Sequence, residues 1–190
     1  MEIENELKKA LTELRKDKER KFNQTIDLII NLQKFDLKKN TVNLFVSVPH
    51  KIKEKKIAAF LETKNKNVET ITGDEFRKYN DKKLLQKLAK SFDFFIAQAS
   101  LMPNVATTFG RVLGPLGKMP SPQLGIIANP GEKEIGELKN KINNSVKIRT
   151  KEASIKLPIG KQNMKDEEVI ENIATVYNAV LKALPKNKDN

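Results

Sequence analysis

The chain has 190 residues, 38% of them hydrophobic, with 36 Lys and Arg against 24 Asp and Glu for a net charge of +12. That apolar content is enough for a packed core and excludes a disordered polymer, while the charge points to a polyanionic partner, nucleic acid first. Zero cysteines and a single histidine, His50, exclude disulfides and thiolate or multi-imidazole metal sites.

The opening "MEIENELKKAL" is an acidic amphipathic start rather than a signal peptide, and no apolar run approaches membrane-spanning length. A cytoplasmic protein without a membrane partner is expected. Ile3, Leu7, Ala10, Leu11 and Leu14 recur at helical spacing, which predicts a helix over residues 2 to about 18. The period then falls to two. Phe22, Gln24, Ile26, Leu28, Ile30 and Leu32 alternate with Asn23, Thr25, Asp27, Ile29 and Asn31 as in a half-buried strand, and "TVNLFVSV", residues 41–48, is a second β-rich run. The polar "DLKKN" between them predicts an antiparallel hairpin.

After Pro49 and His50 the texture becomes a strand and helix rhythm. "KKIAAFLE" and "NVETI" read as short strands, "DKKLLQKLAKS" as a helix with Leu84, Leu85 and Leu88 on one side, and "FDFFIAQA" as a buried strand of a parallel sheet. A helix from Met102 to Leu113 follows, with Pro103 in its first turn. Past Pro130 come a helix, "EKEIGELKNKIN", two strands read as a C-terminal hairpin, "VKIRTK" and "ASIKLPIG", and a long helix with Val169, Ile173, Val176, Val180 and Leu184 as its stripe. Asp166, Glu167 and Glu168 suit the first turn of that helix and do not form an acid and base pair.

The run "TTFGRVLGPLGKMPSPQ" holds three of the eight glycines and three of the eight prolines. It is not a P-loop, because the position five before Gly117 is Val112 and Met119, not Ser or Thr, follows Lys118. Gly110, Gly114 and Gly117 also miss the dinucleotide spacing. The structural alternative is a linker: residues 54–118 would form an inserted three-layer α/β domain between two halves, 1–50 and 122–190, of a discontinuous first domain. The linkers would be 49–54 and 118–123, with Pro49, His50, Gly117, Lys118, Pro120 and Pro122 as hinge residues. His50 has no nucleophile and acid tied to it by any motif, so hinge or packing is its expected role. The fold class expected is α/β, an α+β first domain plus a Rossmann-like inserted domain, joined by a two-linker hinge.

"KFNQTIDLIINL", "FFIAQASLMP", "LGPLGKMPSP" and "MKDEEVIENIATVYNAVL", in this order and separation, resemble the archaeal and eukaryotic branch of the universal large-subunit ribosomal protein L-one family over nearly the whole chain. The resemblance implies a first domain that binds large-subunit rRNA at the base of a mobile stalk, assistance to exit-site tRNA release, repression of the protein's own mRNA, and no enzymatic activity. It also implies a monomer outside the ribosome and no cofactor. Lys21 and Phe22 match the family's RNA-contacting pair, with Gln24 and Thr25 following; for Phe22 the plainer alternative is the first core residue of a strand. Lys147, Arg149, Lys151 and Lys156 are candidates for phosphate contact, or else a solvated basic strand. One departure stands out. Family members usually continue into a strand carrying Thr-Met-Gly, whereas this sequence stops at "ALPKNKDN", which leads us to expect truncation or a further tail. The competing function class is an α/β enzyme acting on a nucleotide or phosphorylated substrate, which the parallel-strand rhythm and glycines alone would support.

Overall fold

The computed structural model describes residues 2–16, 21–33, 35–36, 41–150 and 152–184. The chain divides into two compact units, one made of Met1–Lys53 and Asn144–Asn190, the other of Glu54–Asn143.

Unit 1 is built from both chain ends. Helix α1, Glu2–Leu14, presents Leu7 and Leu11 to the core, stopping sooner than the periodicity suggests. Strand β1, Thr25–Asn31, keeps the expected alternation, with Ile26 buried and Thr25, Asp27, Ile29 and Asn31 exposed. Strand β2 spans Asn43–Ser47. These two do not form the expected hairpin. β1 pairs antiparallel with β8, Ser154–Lys161, and β2 pairs antiparallel with β7, Ser145–Arg149. Each N-terminal strand takes a C-terminal one, so the predicted β7–β8 hairpin is absent too. Short local patterns choose a strand's face but not its partner, and the buried faces decide the pairing. Leu44 and Val46 stand opposite Ile148 and Val146, and all four join Ile26, Ile155, Leu157 and Ile159 in one core.

The long helix α5, Asp166–Ala183, closes that core with Val169, Ile173, Val176 and Val180. Its start is capped by Glu168, whose Oε2 accepts from the Lys165 N–H at 3.1 Å. Arg15, just after α1, donates Nε to Asp166 Oδ1 at 2.6 Å and its two other nitrogens to the Gln162 and Met164 carbonyls, each at 2.7 Å. One guanidinium thus fixes the first helix against the loop that starts the last one.

Unit 2 is a three-layer α/β domain. Parallel strands β3, Ile57–Phe60, β4, Glu69–Ile71, β5, Phe94–Gln98, and β6, Ile126–Ile127, lie in the order β4-β3-β5-β6. Strand alternation sends Ala58, Phe60, Phe95 and Ala97 to one side, where helices α2, Lys82–Ser91, and α3, Met102–Leu116, cover them. Ile57, Ala59, Leu61 and Ile96 go to the other side under α4, Glu132–Asn143. A 3₁₀ segment at Gly73–Asn80, not foreseen from the sequence, supplies Phe76 to the first layer, where its ring meets Phe60 edge-on at 5.7 Å.

The insertion therefore does not end at residue 118. Ile127 hydrogen-bonds into the sheet beside Gln98, and Ile127, Ile135 and Ile142 fill the α4 side of the core, which carries the unit to Asn143. The glycine and proline run lies wholly inside it.

Candidate nucleic-acid interface

Unit 1 turns the polar faces of its two strand pairs outward, and Lys147, Arg149 and Lys156 of the predicted basic residues fall on them. Arg149 stands opposite Asn43 and Lys147 opposite Phe45. Lys147 Nζ sits over the Phe45 ring, 5.0 Å from its centroid, a cation–π contact that the sequence alone did not reveal. Burial, and then the neighbouring Arg149 charge, hold the Lys147 ammonium below its ordinary pKa. A phosphate arriving here would offset both effects with its opposite charge.

On the other pair, Lys156 lies opposite Ile29, exposed, with Glu152 Oε1 at 3.3 Å from its Nζ. Thr25 faces Lys161, whose Nζ donates to the Thr25 hydroxyl at 2.9 Å. Sequence reading missed Lys161, because only the register shows it beside a candidate. Four residues of strand, about 13 Å, separate the Thr25 and Ile29 levels, so Lys156 and Thr25 are not neighbours. Lys151 lies outside the described residues.

Phe22 is the most informative of the set. Its ring is 63% exposed, because the strand begins at Thr25 and the alternation of β1 does not extend back to it. It is not a core residue. Lys21 beside it is exposed and Gln24 half-buried, and the Gln24 carbonyl accepts from the Gln162 N–H at 2.9 Å. Asn23 and Asn163 bond side chain to side chain at 2.9 Å, which anchors this segment to the β8–α5 loop. An exposed aromatic next to a lysine on an anchored backbone can stack on a base or sugar while the ammonium meets a phosphate.

The hinge candidates separate. Pro49 and His50 lie in unit 1, where Asn172 of α5, fully buried, accepts from the His50 N–H at 3.0 Å and donates to the His50 carbonyl at 3.0 Å. Gly117, Lys118, Pro120 and Pro122 lie in unit 2. Gly117 ends α3 at φ 70°, a left-handed cap, and the Lys118 N–H returns to the Leu113 carbonyl at 2.9 Å. The Lys118 ammonium donates to the Ala89 and Phe92 carbonyls, both at 2.7 Å, so it closes the C-terminal end of α2 instead of facing an open loop. The phosphate-loop reading loses its lysine. Among the described residues no group of His, Asp or Glu is arranged to hold a metal, and no described helix is long and apolar enough to cross a membrane.

The sequence also matches known proteins. A family model described as the ribosomal protein L1p/L10e family matches residues 14–190. The large ribosomal subunit protein uL1 of Nanoarchaeum equitans is 36% identical over 196 residues, covering 98% of this chain and 90% of that one. Its counterpart in Pyrobaculum islandicum is 36% identical, covering 94% and 83%, and that of Thermoplasma acidophilum 33% identical, covering 98% and 88%. These relatives are named as ribosomal proteins and not as enzymes. The chain belongs to the ribosomal protein L1p/L10e family, in its archaeal branch.

Proposed function

We propose that the chain is a structural constituent of the large ribosomal subunit, working in the cytoplasm, and that unit 1 binds large-subunit rRNA at the base of a mobile stalk. The observation that carries the proposal is the exposed Phe22 ring beside Lys21, in a chain of this family, on a backbone anchored to the β8–α5 loop. Lys21, Gln24 and Thr25 surround that contact, and Lys147, Arg149, Lys151 and Lys156, joined by Lys161, supply phosphate contacts. Held there, the stalk assists release of exit-site tRNA. The same face, offered an imitation of the rRNA site, represses the protein's own mRNA, and the free protein is a monomer. The hinge is formed by the two chain crossings at Lys53–Glu54 and Asn143–Asn144, where the compact units meet in sequence.

Co-sedimentation with large subunits in high salt tests the reading. A ribosomal constituent stays with the subunit through a salt wash, because its contacts include stacking and hydrogen bonds that salt does not screen. Full release into the supernatant would leave only a free RNA-binding regulator.

A further inference from the structure

Unit 2 carries a recess of about 380 Å³ at the end of the sheet where β3, β4 and β5 begin, walled by Tyr79, Leu84, Leu88 and Phe92. Its rim bears Lys56, Lys87 and the Glu69 carboxylate. The walls are fixed from behind. The Phe92 ring meets Phe95 edge-on at 5.9 Å, and its carbonyl accepts from Lys118 Nζ. The Tyr79 ring packs on Phe109 at 5.6 Å, and the Lys56 N–H donates to Asp93 Oδ2 at 3.2 Å. Leu84 remains 46% exposed at the mouth.

The charges around this recess are exposed and unpaired. Among the described residues neither the Lys56 nor the Lys87 ammonium has a hydrogen-bond or ion-pair partner, and the Glu69 carboxylate has none either. Lys82, Lys83 and Lys90 continue from Lys87 along the outward face of α2, all exposed; Asp81 at the N-cap is the acid nearest Lys82 and Lys83 in sequence, and Asp93, just past the helix, the one nearest Lys90. A pocket with two rings, two cations, and a lysine track leading from it is complementary to a polyanion that carries flat apolar groups. At the lower end of the roughly 300–1,000 Å³ usual for ligand pockets, it suits one nucleotide and not a duplex.

We infer that this recess receives a single unstacked RNA nucleotide, its base against the Tyr79 and Phe92 rings and its phosphate at Lys87 and Lys56, with the flanking strand on the α2 lysines. An ionised carboxylate only accepts hydrogen bonds, so Glu69 selects a base with a donor edge, and guanine offers two adjacent donors. Burial, then the Glu75 and Glu69 charges, raise the Tyr79 pKa, which keeps its hydroxyl protonated. The site lies at the opposite end of the sheet from the crevice in which doubly wound folds usually bind ligands, so fold analogy does not supply it. The inference rests on the ribosomal reading only in taking RNA as the polyanion.

The test uses the full isotope-labelled chain titrated with the heptamers UUUGUUU and UUUUUUU, with GMP and with an acidic heptapeptide, read by amide shifts and fluorescence anisotropy. Shifts at Leu84, Lys87 and Phe92 are expected, with the guanine heptamer bound about tenfold more tightly than the all-uridine one. Glu69→Gln should erase that preference without unfolding an exposed strand start, and Lys87→Glu should weaken both. Shifts confined to unit 1, equal affinity for the two heptamers, GMP binding as tightly as the heptamer, or a response only to an acidic peptide would each overturn it. Phe22→Ala should leave the recess shifts unchanged, which separates this site from the stalk-base interface.

Discussion

Asn172 of α5 grips the backbone of His50 from both sides, accepting from its N–H and donating to its carbonyl, each at 3.0 Å, while the same amide also donates to the Ile159 carbonyl at 3.1 Å. One buried side chain joins α5, β8 and the segment that leads out of unit 1. Asn172→Leu fits by volume but leaves three backbone groups without their partner, each a desolvation penalty. The expected cost is about 3 kcal/mol, read as faster amide exchange across β8 and α5 with unit 2 unaffected. Unchanged exchange would show that these bonds contribute nothing net.

The glycine-rich run makes opposite predictions at two of its positions or their neighbours. Gly125 has φ 120°, and a Cβ there would meet the Phe95 carbonyl oxygen at 3.1 Å and the Phe94 ring at 3.2 Å. Its own carbonyl accepts from the Ala97 N–H at 2.8 Å, which is what brings β6 up to β5. Gly125→Ala should cost about 2 kcal/mol of unit 2 stability through backbone strain and this close approach. Gly110, inside α3 with nothing within 4 Å of its would-be Cβ, should instead gain about 0.5–1 kcal/mol on mutation to Ala. Thermal unfolding of the two variants checks the contrast in sign.

Lys147 provides a pH prediction. Its pKa lies below the usual 10.5 because of burial and Arg149, so the unfolded chain holds this proton more tightly and stability rises with pH across the window between the two values. A phosphate at the ammonium favours the charged form and raises the pKa. RNA binding should then take up a proton in that window, and affinity should fall as pH rises through the free-protein value. Carbon-13 titration of the lysine ε-carbons, with and without RNA, measures it; an identical Lys147 curve in both states would remove this residue from the interface.

Much of the fold was legible because burial writes a period into the chain. Ile26, Leu28 and Ile30 alternate with exposed neighbours as predicted, and the α5 stripe of Val169, Ile173, Val176 and Val180 is buried throughout. Pairing was not legible. The pattern of β1 would suit any antiparallel neighbour, and its register to β8 even shifts between Ile26 and Asp27. The end of unit 2 escaped because β6 has only two residues, Ile126 and Ile127, too few to show a period. In the candidate site, Phe22 shares the phase of Ile26 and so reads as core, yet it precedes the strand and faces water. The Lys147–Phe45 and Lys161–Thr25 contacts required the register, which no local spacing encodes.

The measurement that tests the central claim most directly is the affinity of the chain and of Phe22→Ala for a large-subunit rRNA stalk-base fragment across a range of salt concentrations. Each lysine or arginine that meets a phosphate releases a counterion, so the logarithm of affinity should fall steeply and linearly with that of salt. Removing the exposed ring should weaken binding by about 1–3 kcal/mol at every salt concentration and leave the slope unchanged, since a phenyl group displaces no counterion. Affinity that is flat in salt, or equal for the wild type and a folded Phe22→Ala, would contradict an rRNA interface built on Phe22 and the basic strands of unit 1.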